Sequence, residues 1–169
     1  MNPARCEEAI LAGGCFWGME DLIRRLSGVL DTEVGYTGGK KSNPTYSEVK
    51  TGTTGHAEAV WISFRPDLLS YESLLYYFFR IHDPTIPNAQ GNDVGSQYRS
   101  AIFYLNEDQR DTALRVINKV NICGFWPAPV VTEVVPASKF WPAETYHQDY
   151  LLKNPFGYTC HFERPFRIE

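Results

Sequence analysis

The sequence predicts an α+β fold, a two-layer sandwich in which helices cover one mixed β-sheet. Stretches with strand-like and helix-like hydrophobic periodicity follow one another in the order β-α-β-β-α-β-α-β, which contains a ferredoxin-like β-α-β-β-α-β core. This order fits a sheet covered by helices better than a doubly wound nucleotide-binding fold. No repeat, low-complexity tract or linker divides the 169 residues, so we expect a single domain, residues 1–169, with an irregular C-terminal tail.

The first third of the chain predicts two strands with a helix between them. Residues 9–12 are a short apolar run that ends at two glycines, which indicates a buried strand. A helix that Gly28 ends has one apolar face, formed by Met19, Leu22, Ile23 and Leu26. Residues 29–36 predict the second strand, whereas residues 37–54 are rich in Gly, Ser, Thr and Lys and predict a loop, in which Tyr46 starts a single helical turn.

The middle of the chain predicts a strand, a helix and a long loop. Residues 56–64 alternate well enough for a strand, and residues 65–67 are a turn signal. The helix that follows has an apolar face formed by Leu74, Leu75, Phe78 and Phe79. Residues 83–99 contain two prolines, two glycines, two asparagines and two glutamines, and a loop of that length is usually functional or disordered. A strand at residues 101–105 would anchor its far end.

The last third predicts one long helix, one strand and one short helix. Asn106 is a typical N-cap, and the helix after it has an apolar face formed by Ala113, Val116, Ile117 and Val120. Residues 130–135 predict a strand and residues 145–152 a short helix. From Asn154 onward we expect irregular structure.

Composition excludes several classes of partner. The chain is 43% hydrophobic and 14% aromatic, which is typical of a tightly packed domain with ring-lined pockets. A net charge of −4 with scattered lysines and arginines argues against nucleic-acid binding. No apolar run approaches the roughly 18 residues of a membrane helix, and the first residues lack the apolar core of a signal peptide. We therefore expect a soluble, cytoplasmic monomer without a nucleic-acid or membrane partner.

The four cysteines are Cys6, Cys15, Cys123 and Cys160. They are too few and too widely spaced for a disulfide scaffold. No pair has the CxxC spacing of a structural zinc site, so we expect no metal. In a reducing compartment such cysteines are either inert core residues or redox catalysts.

The segment Gly14-Cys15-Phe16-Trp17-Gly18 is the most informative in the chain, because it places a thiol where a strand gives way to a helix. Free N–H groups at a helix N-terminus favour a thiolate, so we expect a pKa below about 8.5 for Cys15, in the free protein or once substrate binds. The glycines permit a sharp turn and the close approach of a substrate. Phe16 and Trp17 could form an apolar pocket. The alternative is a small buried cysteine in an aromatic core.

Glu58 is the second informative residue. On an alternating strand it shares a face with Val60, Ile62 and Phe64. A carboxylate on an apolar face is costly to ionise, so its pKa should rise and it could act as a general acid near neutral pH. In the alternative, Glu58 lies at the solvent-facing end of the strand.

Two polar segments carry further candidates. In the glycine-flanked loop 91–99, Asp93 and Tyr98 offer a carboxylate and a phenol to a ligand, although for either residue alone the loop composition favours a solvated turn. The segment 146–150 contains His147, which alone is more often a structural hydrogen-bonding group than a catalyst.

Cys160 lies in the tail, where a mobile cysteine could attack an oxidised partner as a resolving thiol. The alternative is a free surface thiol. Apolar neighbours favour a packed, inert thiol for Cys123, and Cys6 has no obvious pocket.

Taken together, four segments in chain order resemble the A-type peptide methionine sulfoxide reductases, which act on the S epimer. They are Gly14-Cys15-Phe16-Trp17-Gly18, Gly55-His56-Ala57-Glu58, Gly91-Asn92-Asp93 with Gln97-Tyr98-Arg99-Ser100, and Tyr146-His147-Gln148 with Asn154-Pro155 and Gly157-Tyr158. The matches cover nearly the whole chain. The resemblance therefore implies a single catalytic domain.

The resemblance implies a thiol-dependent reduction of peptide-bound and free methionine sulfoxide, with a role in protein repair. Cys15 would attack the sulfoxide sulfur and become a sulfenic acid as methionine leaves, while Glu58 protonates the oxygen, to which Tyr46 and Tyr98 hydrogen-bond. Cys160 would then form a disulfide with Cys15. Thioredoxin (or dithiothreitol in vitro) would reduce the disulfide, without any cofactor.

The resemblance also implies the substrate-binding residues. Phe16 and Trp17 would hold the S-methyl group, and Asp93 would bind the substrate backbone. The resemblance assigns supporting roles at the site to His147, Tyr150 and Tyr158.

One departure concerns the tail. Many members of this family have a cysteine directly after the Gly-Tyr pair, whereas here Thr159 intervenes before Cys160. We still expect Cys160 to resolve the sulfenic acid, since a mobile tail tolerates a shift of one residue; Cys6 and Cys123 are weaker candidates for any second disulfide. The rival interpretations are a thiol peroxidase, which would consume peroxide, and a binding module for methionine or peptides in which Cys15 is merely packed.

Overall fold

The computed structural model describes residues 5–168 and confirms the α+β class. The strands are β1 (Glu7–Gly13), β2 (Val29–Thr37), β3 (Ala57–Phe64), β4 (Ala89–Gln90), β5 (Asp93–Val94), β6 (Ser100–Tyr104), β7 (Glu133–Pro136) and β8 (Trp141–Pro142). The helices are α1 (Phe16–Arg24), α2 (Tyr46–Lys50), α3 (Tyr71–Ile81), α4 (Glu107–Cys123) and α5 (Tyr150–Lys153). Within residues 5–168, no helix has the length and apolarity needed to cross a membrane.

Six strands form one mixed sheet in the order β7-β6-β1-β3-β2-β8. The four central strands are antiparallel neighbours, and β1-α1-β2-β3-α3-β6 is the predicted ferredoxin-like core. At one edge β7 pairs parallel to β6, and at the other β8 pairs antiparallel to β2, which makes the sheet mixed. β4 and β5 form a separate two-stranded ribbon.

The main core lies between the sheet and α1, α3 and α4, which all pack on the same sheet face. Alternate residues of β3 point into it, among them Val60, Ile62 and Phe64, whereas Ala57 and Ala59 belong to a smaller apolar cluster on the opposite face. The smaller cluster is covered by residues of the connection that leads to β8, including Phe140. The protein is therefore a two-layer sandwich, as predicted.

The N-terminus of α4 is formed as predicted. The side chain of Asn106 accepts a hydrogen bond of 2.9 Å from Gln109 N, and Gly124 ends the helix in the left-handed conformation (φ 77°). The prediction that Cys123 is packed is wrong, because this last helical residue is exposed. Its apolar sequence neighbour Ile122 is exposed as well, since the helix buries a different face.

Three predicted elements differ in detail. The loop 83–99 contains the β4–β5 ribbon and a 3₁₀ turn at Ser96–Tyr98. The predicted strand 130–135 is shorter and ends one residue later. The predicted helix 145–152 is split into a 3₁₀ turn and α5, because Asp149 between them is left-handed (φ 53°), with its N–H donated to the buried carboxylate of Glu20 at 2.9 Å.

The tail beyond α5 has no helix or strand within the described residues, as predicted, and some of its side chains pack against the rest of the protein. His161 is buried and hydrogen-bonds to Gly13 O at 2.7 Å. Glu163 accepts a bond of 2.7 Å from the Tyr77 hydroxyl, and the ring of Phe166 stacks on Phe125 at 4.3 Å. The tail thus passes the start of α1 first, then crosses α3 and reaches the segment that follows α4.

Candidate active site

Cys15 occupies the N-cap position of α1, directly after β1. Gly14 makes the turn between them with φ 99°, a conformation that favours glycine. The thiol lies at the helix N-terminus, as predicted, but only 8% of Cys15 is exposed. The start of α1 thus places a buried sulfur beside the free backbone N–H groups of the first turn.

Glu58 lies under the same helix N-terminus. It points from β3 to the helix-covered face and is 2% exposed, which excludes the solvent-facing alternative. Its Oε1 accepts a hydrogen bond of 3.1 Å from Phe16 N. Burial raises the pKa of Glu58 to about 8, against the lowering effect of that hydrogen bond, with a further increase from the charge of Asp93. At pH 7 the carboxyl is therefore largely protonated.

The expected activation of Cys15 is absent in the substrate-free protein. Burial raises the pKa of the thiol above its ordinary value, and the negative charge of Glu58 raises it further. The backbone hydrogen bond from Trp17, which is the contribution of the helix N-terminus, lowers the pKa but is outweighed. Cys15 and Glu58 thus both hold their protons at rest.

A small cavity of about 60 Å³ opens at the thiol. This volume holds a group of a few heavy atoms. Every lining residue is among those that the sequence singled out: Cys15, Phe16, Trp17, Tyr46, Glu58, Asp93, Tyr98 and Tyr158. The cavity therefore combines a thiol, an acid, aromatic walls and phenol hydroxyls, brought together from five separate segments.

The tyrosines reach the cavity from different loops. Tyr46 is the first residue of α2, whose start is held by a capping box between Thr45 and Glu48. Burial raises the pKa of Tyr46 to about 12 and raises that of Tyr98 as well, so both phenols stay neutral hydrogen-bond donors. The Tyr158 hydroxyl donates to Asp93 Oδ2 at 3.2 Å, which joins the tail to the β4–β5 ribbon.

Two predicted site residues lie behind the cavity and hold Trp17. The Tyr150 ring stacks on the indole with centroids 3.7 Å apart, and the indole N–H donates to His147 Nδ1 at 3.0 Å. The His147 ring also packs 5.2 Å from Phe16 and 4.5 Å from Tyr46. Burial lowers the pKa of His147, so the neutral ring accepts from the indole and fixes the orientation of the aromatic wall.

Cys160 lies beside the cavity without lining it. It is half-buried against Gly91 of the β4–β5 ribbon, and its charge raises the pKa of Cys15, so the two thiols are electrostatic neighbours. Cys6 and Cys123 are exposed and do not line the cavity.

Sequence reasoning missed two residues that build the site. Glu144 accepts hydrogen bonds of 2.8 Å from both Tyr36 Oη and Tyr46 N, and so ties α2 to the sheet. His161 fills the space beside Gly14 and Gly18. The available signals were an acidic residue directly before a predicted helix and a histidine adjacent to the tail cysteine.

Gly18 shows why the start of α1 needs a small residue there. A Cβ at this position would clash with His161 Nδ1 and Thr159 Oγ1, so the space is filled by the tail rather than left open for a substrate.

We expect Gly18→Ala to destabilise the protein by up to ~2 kcal/mol, because an overpacking cost of about 1–3 kcal/mol is offset in part by a gain in helix propensity of about 1 kcal/mol. Denaturant unfolding and the rate of Cys160 alkylation, which should rise as the tail is displaced, measure the effect. The double variant Gly18→Ala/His161→Ala should regain part of the stability. A single variant more stable than the parent would contradict this account.

A wider cleft of about 410 Å³ lies elsewhere, between the start of β1 and the N-terminus of α4. Its lining includes Glu7, Asp108 and Tyr71 but none of the predicted site residues. Among the residues that the structure describes, no three His, Cys, Asp or Glu side chains are grouped to hold a metal ion. The chemistry is thus concentrated in the smaller cavity at Cys15.

Comparisons with known proteins agree with this geometry. The sequence model of the family described as Peptide methionine sulfoxide reductase matches residues 7–168. Peptide methionine sulfoxide reductase MsrA of Mycobacterium sp. (strain JLS) is 57% identical over 159 residues, which are 94% of this chain and 91% of that protein.

Two solved structures of Mxr1 from Saccharomyces cerevisiae are similar in fold. The reduced form has a TM-score of 0.90 and 36% identity and covers 97% of this chain and 95% of its own. The complex with Trx2 has a TM-score of 0.66 and 23% identity, with coverage of 97% and 94%. The family model spans nearly all the described residues, and relatives such as the mycobacterial MsrA are more than half identical to this chain. The chain therefore belongs to the peptide methionine sulfoxide reductases of the A type, oxidoreductases that return methionine sulfoxide to methionine.

Proposed function

We propose that this single domain reduces the S epimer of methionine sulfoxide, peptide-bound or free, through a sulfenic acid on Cys15. The observation that carries the mechanism is the placement of Cys15 and a protonated Glu58 at one helix N-terminus, both lining one aromatic cavity. A sulfoxide oxygen is a poor leaving group unless it is protonated, and a neutral carboxylic acid beside the attacking sulfur supplies that proton.

The first step balances without an external reagent. Cys15 Sγ attacks the sulfoxide sulfur, Glu58 gives its proton to the oxygen, and the thiol proton of Cys15 restores Glu58. The oxygen is transferred to Cys15, which becomes the sulfenic acid, and methionine leaves. Because Glu58 is neutral before the attack, its charge does not oppose the ionisation of Cys15 at that moment.

The cavity walls provide the binding roles. Tyr46 and Tyr98 donate hydrogen bonds to the oxygen, for which their raised pKa values keep them protonated. Phe16 and Trp17 hold the S-methyl group, and Asp93 binds the substrate backbone. Hydrophobic discrimination by one methyl-sized pocket is worth only about 1–3 kcal/mol, so strict choice of the epimer also needs the hydrogen bonds to the oxygen.

The supporting roles belong to residues behind or beside these walls. His147 and Tyr150 hold the indole of Trp17, and Tyr158 orients Asp93. The site thus depends on the segment 145–158 as much as on the start of α1.

Recycling uses Cys160. Its thiol attacks the Cys15 sulfenic acid, which forms the disulfide and releases water. Thioredoxin then reduces the disulfide; in support, Mxr1, which is 36% identical to this chain in its reduced form, has been solved in complex with Trx2. Dithiothreitol can replace thioredoxin as the reductant. We propose that the protein is a cytoplasmic monomer that repairs oxidised proteins and that it uses no metal or other cofactor.

Cys160→Ser should permit one turnover and then stop. Reduced variant should release about one methionine per protein, because Cys15 and Glu58 are unchanged, but thioredoxin-driven cycling should fall to the background. Methionine release and NADPH consumption in a coupled thioredoxin assay measure the two steps. Undiminished cycling would place the resolving thiol elsewhere or show direct attack by thioredoxin on the sulfenic acid.

A single-turnover assay without reductant tests the whole proposal. Pre-reduced protein is mixed separately with the S and R epimers of a blocked methionine sulfoxide, and methionine and remaining thiols are counted. One methionine formed and two thiols lost, with the S epimer only, are expected. Consumption of peroxide but not of either epimer would instead favour a thiol peroxidase, and binding without any product would favour a binding module.

A further inference from the structure

The imidazole of His161 is built into the start of α1. It is 7% exposed, occupies the space that a side chain at Gly18 would fill, and lies beside Gly14. Its sequence neighbour Cys160 is thereby held at a fixed place beside the cavity. In a buried histidine, each ring nitrogen needs a hydrogen-bond partner.

Hydrogen bonding assigns the tautomer of His161. Nε2 lies 2.7 Å from the carbonyl oxygen of Gly13, which can only accept, so Nε2 carries a hydrogen. Burial lowers the pKa of His161 to about 4, against the effect of the Gly13 bond, and the charge of Arg164 lowers it further. The ring is therefore neutral at pH 7 and Nδ1 has a free lone pair. Nδ1 lies 3.9 Å from Cys160 Sγ.

Contact, rather than basicity, distinguishes His161 from the other bases around Cys160. The Gln90 carbonyl oxygen, also 3.9 Å away, can accept a hydrogen bond but is not a base. Proximity to the Tyr158 hydroxyl and the positive charge of Arg164 lower the pKa of Cys160, whereas the charge of Asp93 raises it. Burial is the largest influence and raises the pKa of Cys160, so the group must lose a proton before it can attack.

We propose that His161 is a catalytic residue of the disulfide-forming step, in which its Nδ1 accepts the thiol proton of Cys160. Cys160 Sγ attacks Cys15 Sγ, the S–S bond forms, and the S–O bond of the sulfenic acid breaks. The departing hydroxide takes the proton and leaves as water, so no further reagent is needed. The inference rests on the proposed function of Cys160, and the bond from Nε2 to Gly13 keeps the base in place.

The test follows both steps of a single turnover in His161→Gln. The glutamine amide can replace Nε2 as the donor to Gly13 but has no basic nitrogen. With the S epimer of a blocked methionine sulfoxide, any slowing of methionine formation should be much smaller than the slowing of the disulfide step. Disulfide formation should slow at least ~10-fold, and sulfenic acid trapped with dimedone should accumulate. The remaining rate should rise about tenfold per pH unit, as expected when hydroxide replaces the base.

His82→Gln is the matched control. His82 is also buried but bonds to Phe78 O and Ser100 Oγ, so this variant should lose stability without slowing the disulfide step. A parental disulfide rate in His161→Gln, or equal slowing of both steps, would overturn the proposal. A disulfide step that is slow in Tyr158→Phe but parental in His161→Gln would assign the proton to the Tyr158–Asp93 pair and would also overturn the proposal. A parental protein that makes methionine without a Cys15–Cys160 disulfide would refute the proposed resolver itself.

Discussion

Cys15→Ser is expected to abolish methionine formation, even in a single turnover with excess protein. Serine nearly matches the volume of cysteine, so the buried N-cap position of α1 should remain intact. A hydroxyl is a far weaker nucleophile than a thiol, and loss of an activated nucleophile commonly costs a factor on the order of 10⁴ or more. Methionine quantified after mixing with the S epimer provides the measurement.

Cys123→Ser is the control for this variant, because that exposed thiol does not line the cavity. It should keep the parental rate. The raised pKa of Cys15 adds a second expectation for the parental protein: alkylation at pH 7 should be slower than for a free thiol and should still be rising above pH 9. Turnover in Cys15→Ser would contradict the mechanism as a whole.

The second large effect is expected at Glu58. Glu58→Leu should lower the rate of the first step roughly 10²- to 10⁴-fold, since no group then protonates the oxygen. Glu58→Gln should keep much of the activity, because its amide can still donate a hydrogen bond. Single-turnover rates of both variants decide the question, and equal rates in the two would remove Glu58 from the mechanism.

The first-step rate and the stability of the parental protein should both decline as the pH rises. The acid must be protonated to act, so its contribution is present below the folded-state pKa of about 8 and falls as the pH rises through it. The folded state also holds this proton where the unfolded chain has lost it, so stability should decline between about pH 4.5 and 8. Glu58→Gln should show neither decline, as measured by first-step rates and by denaturant unfolding across this range.

Local sequence was sufficient for most of the fold and for the centre of the site. The period of β3 places Glu58 on the face of Val60 and Ile62, and the strand-to-helix change after Gly14 places Cys15 at a helix N-terminus. These features depend on a few neighbouring residues, which is why they could be read without a structure.

The remaining features depend on contacts between distant segments. Burial of Cys15 reverses the expected direction of its pKa, and periodicity in the first 30 residues contains no information on that burial. The packing of the tail is equally non-local, since its anchors are Gly13, Tyr77 and Phe125. Asp149 splits the expected helix because of a hydrogen bond to Glu20 in α1.

The packed tail also determines how well the enzyme survives its own reaction. A sulfenic acid that meets further peroxide before a thiol is oxidised to the sulfinic acid, which thioredoxin cannot restore. Cys15 and Cys160 are separated by almost the whole chain, so random encounter would bring them together rarely. Because His161 holds Cys160 beside the cavity, the proposed resolving thiol is already near Cys15 when the sulfenic acid forms. We therefore expect loosening of the tail to raise the fraction of enzyme that is permanently lost under oxidative stress.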